Sequence, residues 1–179
     1  VYGSGHFPDS ANIPKRTTIM GGLNINAGAD SLRLEGLFIN GNINYAAASS
    51  INYVNVIRCR LGNALFNSTS ATASKNFCSY EESVLNGGIN FNNYGTNFCV
   101  TKCIFDGASL VYKDNVSYME YYSSIANIAG GALIKNNISI VVTGGYNETK
   151  TFIGRVSSSI IEDNIIFNTK FAYETCIGN

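Results

Sequence analysis

Two stretches decide the reading: Phe77–Leu85, FCSYEESVL, and Phe98–Asp106, FCVTKCIFD. They open on the same dipeptide, 21 residues apart, and then share little except the placing of their apolar residues. Similar phrases lie on either side: LRLEGLFING from Leu32, INYVNVIRCRLGN from Ile51, ALIKNNISIVV from Ala132 and SSIIEDNIIFNT from Ser158. In each, apolar residues recur near every second position, the period of a β-strand. The β-branched and aromatic residues that fill them suit a pleated, half-buried surface. Clusters of Gly, Asn and Ser separate them and read as turns.

Aligning the phrases on the residue before the second apolar group gives Gly36, Asn55, Ser83, Cys103, Asn137 and Asn164, at spacings of 19, 28, 20, 34 and 27. A rung of three short strands and three turns takes roughly twenty residues or more, within the range of solenoid repeats. The interval of 34 holds DGASLVYKDNVSYMEYYSSIANIAGG, so a longer loop insertion is expected near residues 106–131. Val116, Met119, Tyr122 and Ile125 in that segment also fit the spacing of a short helix. TTIMGGLNI, from Thr17, lies too close to Leu32 to be a separate rung and is expected to supply a different face of an early one. A solenoid repeats geometry rather than chemistry, so this alignment predicts Phe77 stacked in register with Phe98, both buried, and Cys78 with Cys99. Asn at the turns can take left-handed backbone geometry and bond the amide of its stacked neighbour.

The pattern in IKNNISIVV, IIEDNIIFN and LEGLFINGNI resembles the right-handed, single-stranded parallel β-helix proteins of the pectin-lyase-like group, over most of the chain from about Thr17 to Phe171. More narrowly, VYGSGHFPDS followed by LRLEGLFINGNI resembles surface β-helix proteins of gut Bacteroides-type bacteria that are labelled adhesins. The resemblance implies an all-β solenoid, secreted or held at a bacterial cell surface, that binds carbohydrate or a host surface protein without catalysis. The same shape also serves polysaccharide lyases and hydrolases, and phage tail-spikes. The competing architecture is an antiparallel β-sandwich, in which ING at Asn40 and LNGG at Asn86 would close hairpins.

Composition narrows the partners. Lys plus Arg and Asp plus Glu are 12 each, and charged residues make up only 13% of the chain. A neutral, charge-poor surface argues against nucleic acid, which needs a basic face. No apolar run reaches the length of a membrane span. The 179 residues suffice for a single domain, 1–179, with its own core. The opening VYGSG reads as the inside of a strand, so an excerpt of a longer chain is expected. Cys59, Cys78, Cys99, Cys103 and Cys176 are odd in number. They are expected to be buried free thiols, with one disulfide as the alternative. Cys99 and Cys103 lack a second pair and a nearby His, so neither zinc nor any other cofactor is expected.

No catalytic residue is assigned. His6 is the only histidine and has no base or metal partner in sequence apart from Asp9. Lyases need a Lys or Arg base beside a carboxylate-neutralising group, and hydrolases need paired carboxylates. The best candidate for any site is a mixed-charge patch on three consecutive rungs: Arg58, Arg60, Glu82, Lys102 and Asp106. In VIRCRL, alternation puts Ile57, Cys59 and Leu61 inside and both arginines outside. Glu81 and Glu82 would then face opposite ways unless a turn intervenes. Tyr118, Tyr121 and Tyr122 of VSYMEYY form the second candidate, because tyrosine joins apolar area to a polar tip and solenoid insertions often line the binding face. Asn137 begins one of the N-x-S/T triplets but should lie within a rung, where a glycan does not fit.

Overall fold

A computed structural model of the chain describes residues 1–3, 17–66, 73–90, 95–106, 110–113, 120–128, 132–141, 149–156, 159–168 and 177–178. Short strands stack into long parallel sheets. Sheet A is built from Arg33–Glu35, Asn55–Ile57, Ser79–Glu81, Cys99–Thr101, Leu133–Lys135 and Ile160–Glu162. Sheet B runs from Thr17–Met20 through Leu37–Asn40, Arg60–Leu61, Val84–Leu85, Ile104–Asp106 and Ile138–Val141 to Ile165–Asn168. Sheet C stacks Leu23–Ile25, Ile43–Tyr45, Ala64–Phe66, Ile89–Asn90, Glu120–Ile128, Thr149–Val156 and Ile177–Gly178. Ile51–Asn52, Lys75–Asn76 and Gly95–Thr96 form a smaller sheet D. Each strand pairs in parallel with its counterparts one rung away, which makes the molecule a parallel β-solenoid. Leu110–Lys113 is the exception, pairing antiparallel with Glu120–Ile128.

The core is a set of columns. Leu34, Val56, Tyr80, Val100 and Ile134 lie in register along sheet A and are all buried. On sheet C, Tyr45 stacks on Phe66 at 3.9 Å, and Phe66 meets Phe98 edge-on at 5.1 Å. The buried Tyr45 and Tyr80 hydroxyls satisfy one another at 2.9 Å, so neither is left as an unpaired polar group.

Left-handed bends set the phase. On the path from sheet A to sheet B, φ is positive at Gly36, Arg58, Glu82, Lys102, Asn136 and Asp163. Five residues before the first four of these, φ is also positive at Ser31, Tyr53, Phe77 and Asn97. Each sheet A strand of the lower rungs is therefore bracketed by two single-residue corners. Just inside the first-named corner runs a polar ladder. Ser83 Oγ accepts from Cys59 N at 3.1 Å, Asn137 Oδ1 from Cys103 N at 2.9 Å, and Asn164 Oδ1 from Asn137 N at 3.0 Å. Asn137 is fully buried and spends its amide on Val100 O and Asn164 Oδ1, both at 2.9 Å. A second ladder joins sheets B and C, where Asn42 Oδ1 accepts from Asn63 N and Asn63 Oδ1 from Gly88 N. A Cβ on Gly62 would stand 2.6 Å from Asn42 Oδ1, so glycine leaves room for the ladder there.

These columns correct the alignment read from sequence. Ser83, Cys103, Asn137 and Asn164 do share one column, but its member in the second rung is Cys59, not Asn55, and in the first rung Leu37, not Gly36. The bend-to-bend spacings are 22, 24, 20, 34 and 27. The rung from Phe77 is 20 residues long while the Phe-Cys repeat is 21, so the two phrases are one residue out of phase. Ser79, not Cys78, lies opposite Cys99. Phe98 is buried, whereas Phe77 sits on a corner and is 47% exposed. ING and LNGG are corners between parallel sheets rather than hairpins. TTIMGGLNI lies in sheets B and C directly beneath Leu37–Asn40 and Ile43–Tyr45, on the same faces one rung earlier, so it belongs to a separate rung and does not supply a different face of the same one. Within the expected insertion, 110–113 and 120–128 are strand, so the helical spacing of Tyr122 and Ile125 carries no helix. Cys59, Cys78, Cys99 and Cys103 are free thiols, and Cys176 lies outside the described residues.

Candidate functional site

The outer surface of sheet A is a strip between two ridges. Its strands are three residues long, so two side chains per rung face outward: Asn55 and Ile57, Ser79 and Glu81, Cys99 and Thr101. Ser79 Oγ donates to Asn55 Oδ1 at 2.8 Å, which ties two rungs of this floor together.

One ridge is the charged corner. Arg58, Glu82 and Lys102 occupy the same bend on consecutive rungs, so the structure brings together three of the five residues expected to form a patch. The turn at Glu82 also resolves the direction of its neighbour: Glu81 faces outward from the strand, and the left-handed residue after it projects outward too. Ile57 is half-buried instead of inside, because the bend at Arg58 resets the alternation before Cys59 turns in. The charges neutralise one another locally. Lys102 Nζ lies 3.3 Å from Glu82 Oε1, and Arg58 pairs with Glu35, which Arg33 also holds at 2.8 Å. Further up, Lys135 bridges Glu162 at 2.6 Å and Asp163 at 3.5 Å, and the hydrogen bond to Glu162 pushes its ammonium pKa up.

Arg60 stands apart, on sheet B, where its guanidinium lies 5.8 Å above the centre of the Phe38 ring and bonds Asn86 Oδ1 at 3.3 Å. Asp106 ends a sheet B strand two rungs above, opposite Ile140, and its side chain lies outside the described residues. Tyr121 and Tyr122 belong to strand Glu120–Ile128 of sheet C, opposite Thr149 and Lys150. Their side chains, and the whole of Tyr118 and His6, lie outside the described residues.

The other ridge was missed in the sequence. Tyr53 and Phe77 hold the same left-handed bend on adjacent rungs, with φ of 59° and 54°. Their rings stack 5.0 Å apart, 7° from parallel, and are 52% and 47% exposed. Bulky residues are uncommon at positive φ. Here the fold demands the bend, since Ser31 and Asn97 make it too, but it does not demand aromatic rings on it. Amides flank the stack: Asn76 Nδ2 donates to Asn52 Oδ1 at 3.2 Å on one side, and the Asn55–Ser79 pair lies on the other. The signal that could have found this ridge is the residue five positions before each left-handed corner.

The buried thiols stand apart from this surface. Burial raises the Cys78 thiol to about 11 and the Cys103 thiol to about 12, which keeps both protonated and unreactive at neutral pH. Among the described residues, no three or more His, Cys, Asp or Glu side chains gather where they could hold a metal ion. No helix among them is long and apolar enough to cross a membrane. No family model, no curated protein and no solved structure matches the chain.

Proposed function

We propose that this solenoid is a non-catalytic binding protein, an adhesin-like β-helix of the pectin-lyase-like kind, secreted or displayed at a bacterial surface, whose outer strip holds glycan. The observation that carries the reading is the exposed Tyr53–Phe77 stack between two rows of amide and hydroxyl side chains. Aromatic rings supply apolar contact area at little entropic cost, and neighbouring amides supply donors and acceptors for hydroxyl groups. The charged corner supports the same reading. Its ions pair with each other at the surface, which suits a contact patch rather than a poised acid or base.

A glycan array carrying host and dietary oligosaccharides, probed with the whole chain, should show binding. Absorbance assays on acidic and neutral polysaccharides, with and without Ca²⁺, should show no release of unsaturated ends. Release of such ends that disappears in Lys102→Ala or Arg60→Ala would replace this reading with a lyase.

A further inference from the structure

The ring stack has two ends, and they differ. Above Phe77 the same corner is occupied by Asn97, and below Tyr53 by Ser31. Ser31 is exposed and carries only a hydroxymethyl group, too small to cover a ring face. Beside it, Asp30 is also exposed. Asp30 Oδ1 accepts from Asn52 N at 2.7 Å, and Ser31 N donates to Asn52 O at 3.0 Å. Both residues are thereby pinned beneath the rung that carries Tyr53. The lower face of Tyr53 thus meets a step with a hydroxyl for a floor and a carboxylate at its side.

Resting on the glycan-binding reading above, we infer that this step is a subsite for one neutral pyranose. The sugar stacks under Tyr53 as the next member of the ring column, with its hydroxyls on the Asp30 carboxylate and Ser31 Oγ. A carboxylate accepts hydrogen bonds from sugar hydroxyls but repels a uronate, so the ligand is uncharged or N-acetylated rather than acidic. The geometry also limits its length. Glycosidic bonds leave a pyranose from its edges, roughly in the plane of the ring. A sugar lying flat against Tyr53 therefore sends its chain sideways across the corner, away from the ring column. The subsite reads a single residue, and further sugars gain nothing from the stack.

The test uses the whole chain and saturation-transfer NMR with titration. The probes are methyl glycosides of glucose, galactose, mannose and N-acetylglucosamine, methyl galacturonide, and oligomers of whichever neutral sugar binds. Tyr53→Asn is the decisive variant. Asparagine adopts left-handed backbone more readily than tyrosine, so the fold keeps its melting temperature while the ring is lost. The expected results are binding of a neutral glycoside, weakened on the order of tenfold by Tyr53→Asn and a few-fold by Asp30→Asn. Affinity should not rise from monosaccharide to oligomer. If neutral glycans bind but Tyr53→Asn binds equally well, the subsite is wrong and the broader reading survives. Equal binding of the galacturonide, or affinity that climbs with chain length, also overturns the subsite. If the unaltered chain binds none of the neutral probes, the glycan reading and the subsite fall together.

Discussion

Phe77 and Phe98 begin two phrases that look alike, one rung apart, and they end on opposite sides of the wall. Phe98 is buried against Phe66, while Phe77 lies in the open against Tyr53. The difference marks two kinds of repetition in one molecule. The inner columns repeat side-chain character, as in Leu34, Val56, Tyr80, Val100 and Ile134. The corner columns repeat backbone conformation and leave the side chain free, so Gly, Arg, Glu, Lys, Asn and Asp share one bend.

Truncation should separate the two phenylalanines most sharply. Phe98→Ala should cost about 3–5 kcal/mol, the usual figure for a buried phenylalanine. Phe77→Ala should cost under about 1 kcal/mol, since only an exposed ring contact is lost. Urea denaturation of both variants measures the contrast, and equal losses would dissolve it.

Next in size is the buried ladder. Asn137→Ala strands Cys103 N–H and takes one donor each from Val100 O and Asn164 Oδ1 inside the wall. It should lower stability by about 2–4 kcal/mol, since each buried polar group left without a partner costs about 1–3. A loss below about 1 kcal/mol would show that water takes over the ladder.

Alkali tests the inner columns without mutation. Burial raises the pKa values of Cys78 and Cys103, so the unfolded chain releases these protons first as pH rises. Their stabilisation is therefore complete below their ordinary value of 9.0 and falls away between there and about 11 to 12. Unfolding free energy should drop by about 1 kcal/mol per thiol between pH 9 and 10. Buried Tyr45 and Tyr80, whose pKa values burial raises well above the ordinary, add to the fall higher up. A flat profile over that range would mean the thiols meet water.

The smallest effect belongs to the corners. Lys102→Asn removes an exposed ion pair but relieves a left-handed residue, and a net gain of under about 1 kcal/mol is expected. A loss of 2 kcal/mol or so in thermal unfolding would show that corner side chains are not free to vary.

The same division explains what could be read in the sequence. Period-two apolar spacing exposes inner columns, so a solenoid with parallel stacking was legible, as was the shared column of Ser83, Cys103, Asn137 and Asn164. Phase was harder. It depends on where single left-handed residues fall, and Arg58, Glu82, Lys102, Tyr53 and Phe77 are poor advertisements for positive φ. Gly36, Asn136 and Asp163 are good ones. Aligning on them would have put Cys59 in place of Asn55 and turned Phe77 outward. The charged patch was half legible. Arg58, Glu82 and Lys102 do share a ridge, but whether a strand or a corner carries Arg60 depends on the same hidden bend.

The two ladders run in opposite senses. At the corner between sheets A and B, a side-chain oxygen of the later rung reaches back to an N–H of the earlier one. Between sheets B and C, the earlier rung's asparagine reaches forward to the later rung's N–H. The two meet between the rung of Cys59 and Asn63 and the rung of Ser83 and Gly88, so that interface is latched in both directions, like a link whose two clasps face opposite ways. Parting it strands the Cys59 N–H on the earlier rung and the Gly88 N–H on the later one at once. In the one-dimensional description that fits repeat proteins, this loads energy into the interfaces rather than into the repeats. The two rungs so joined resist peeling apart and give way together, and each gains less from its own sequence than from its neighbour.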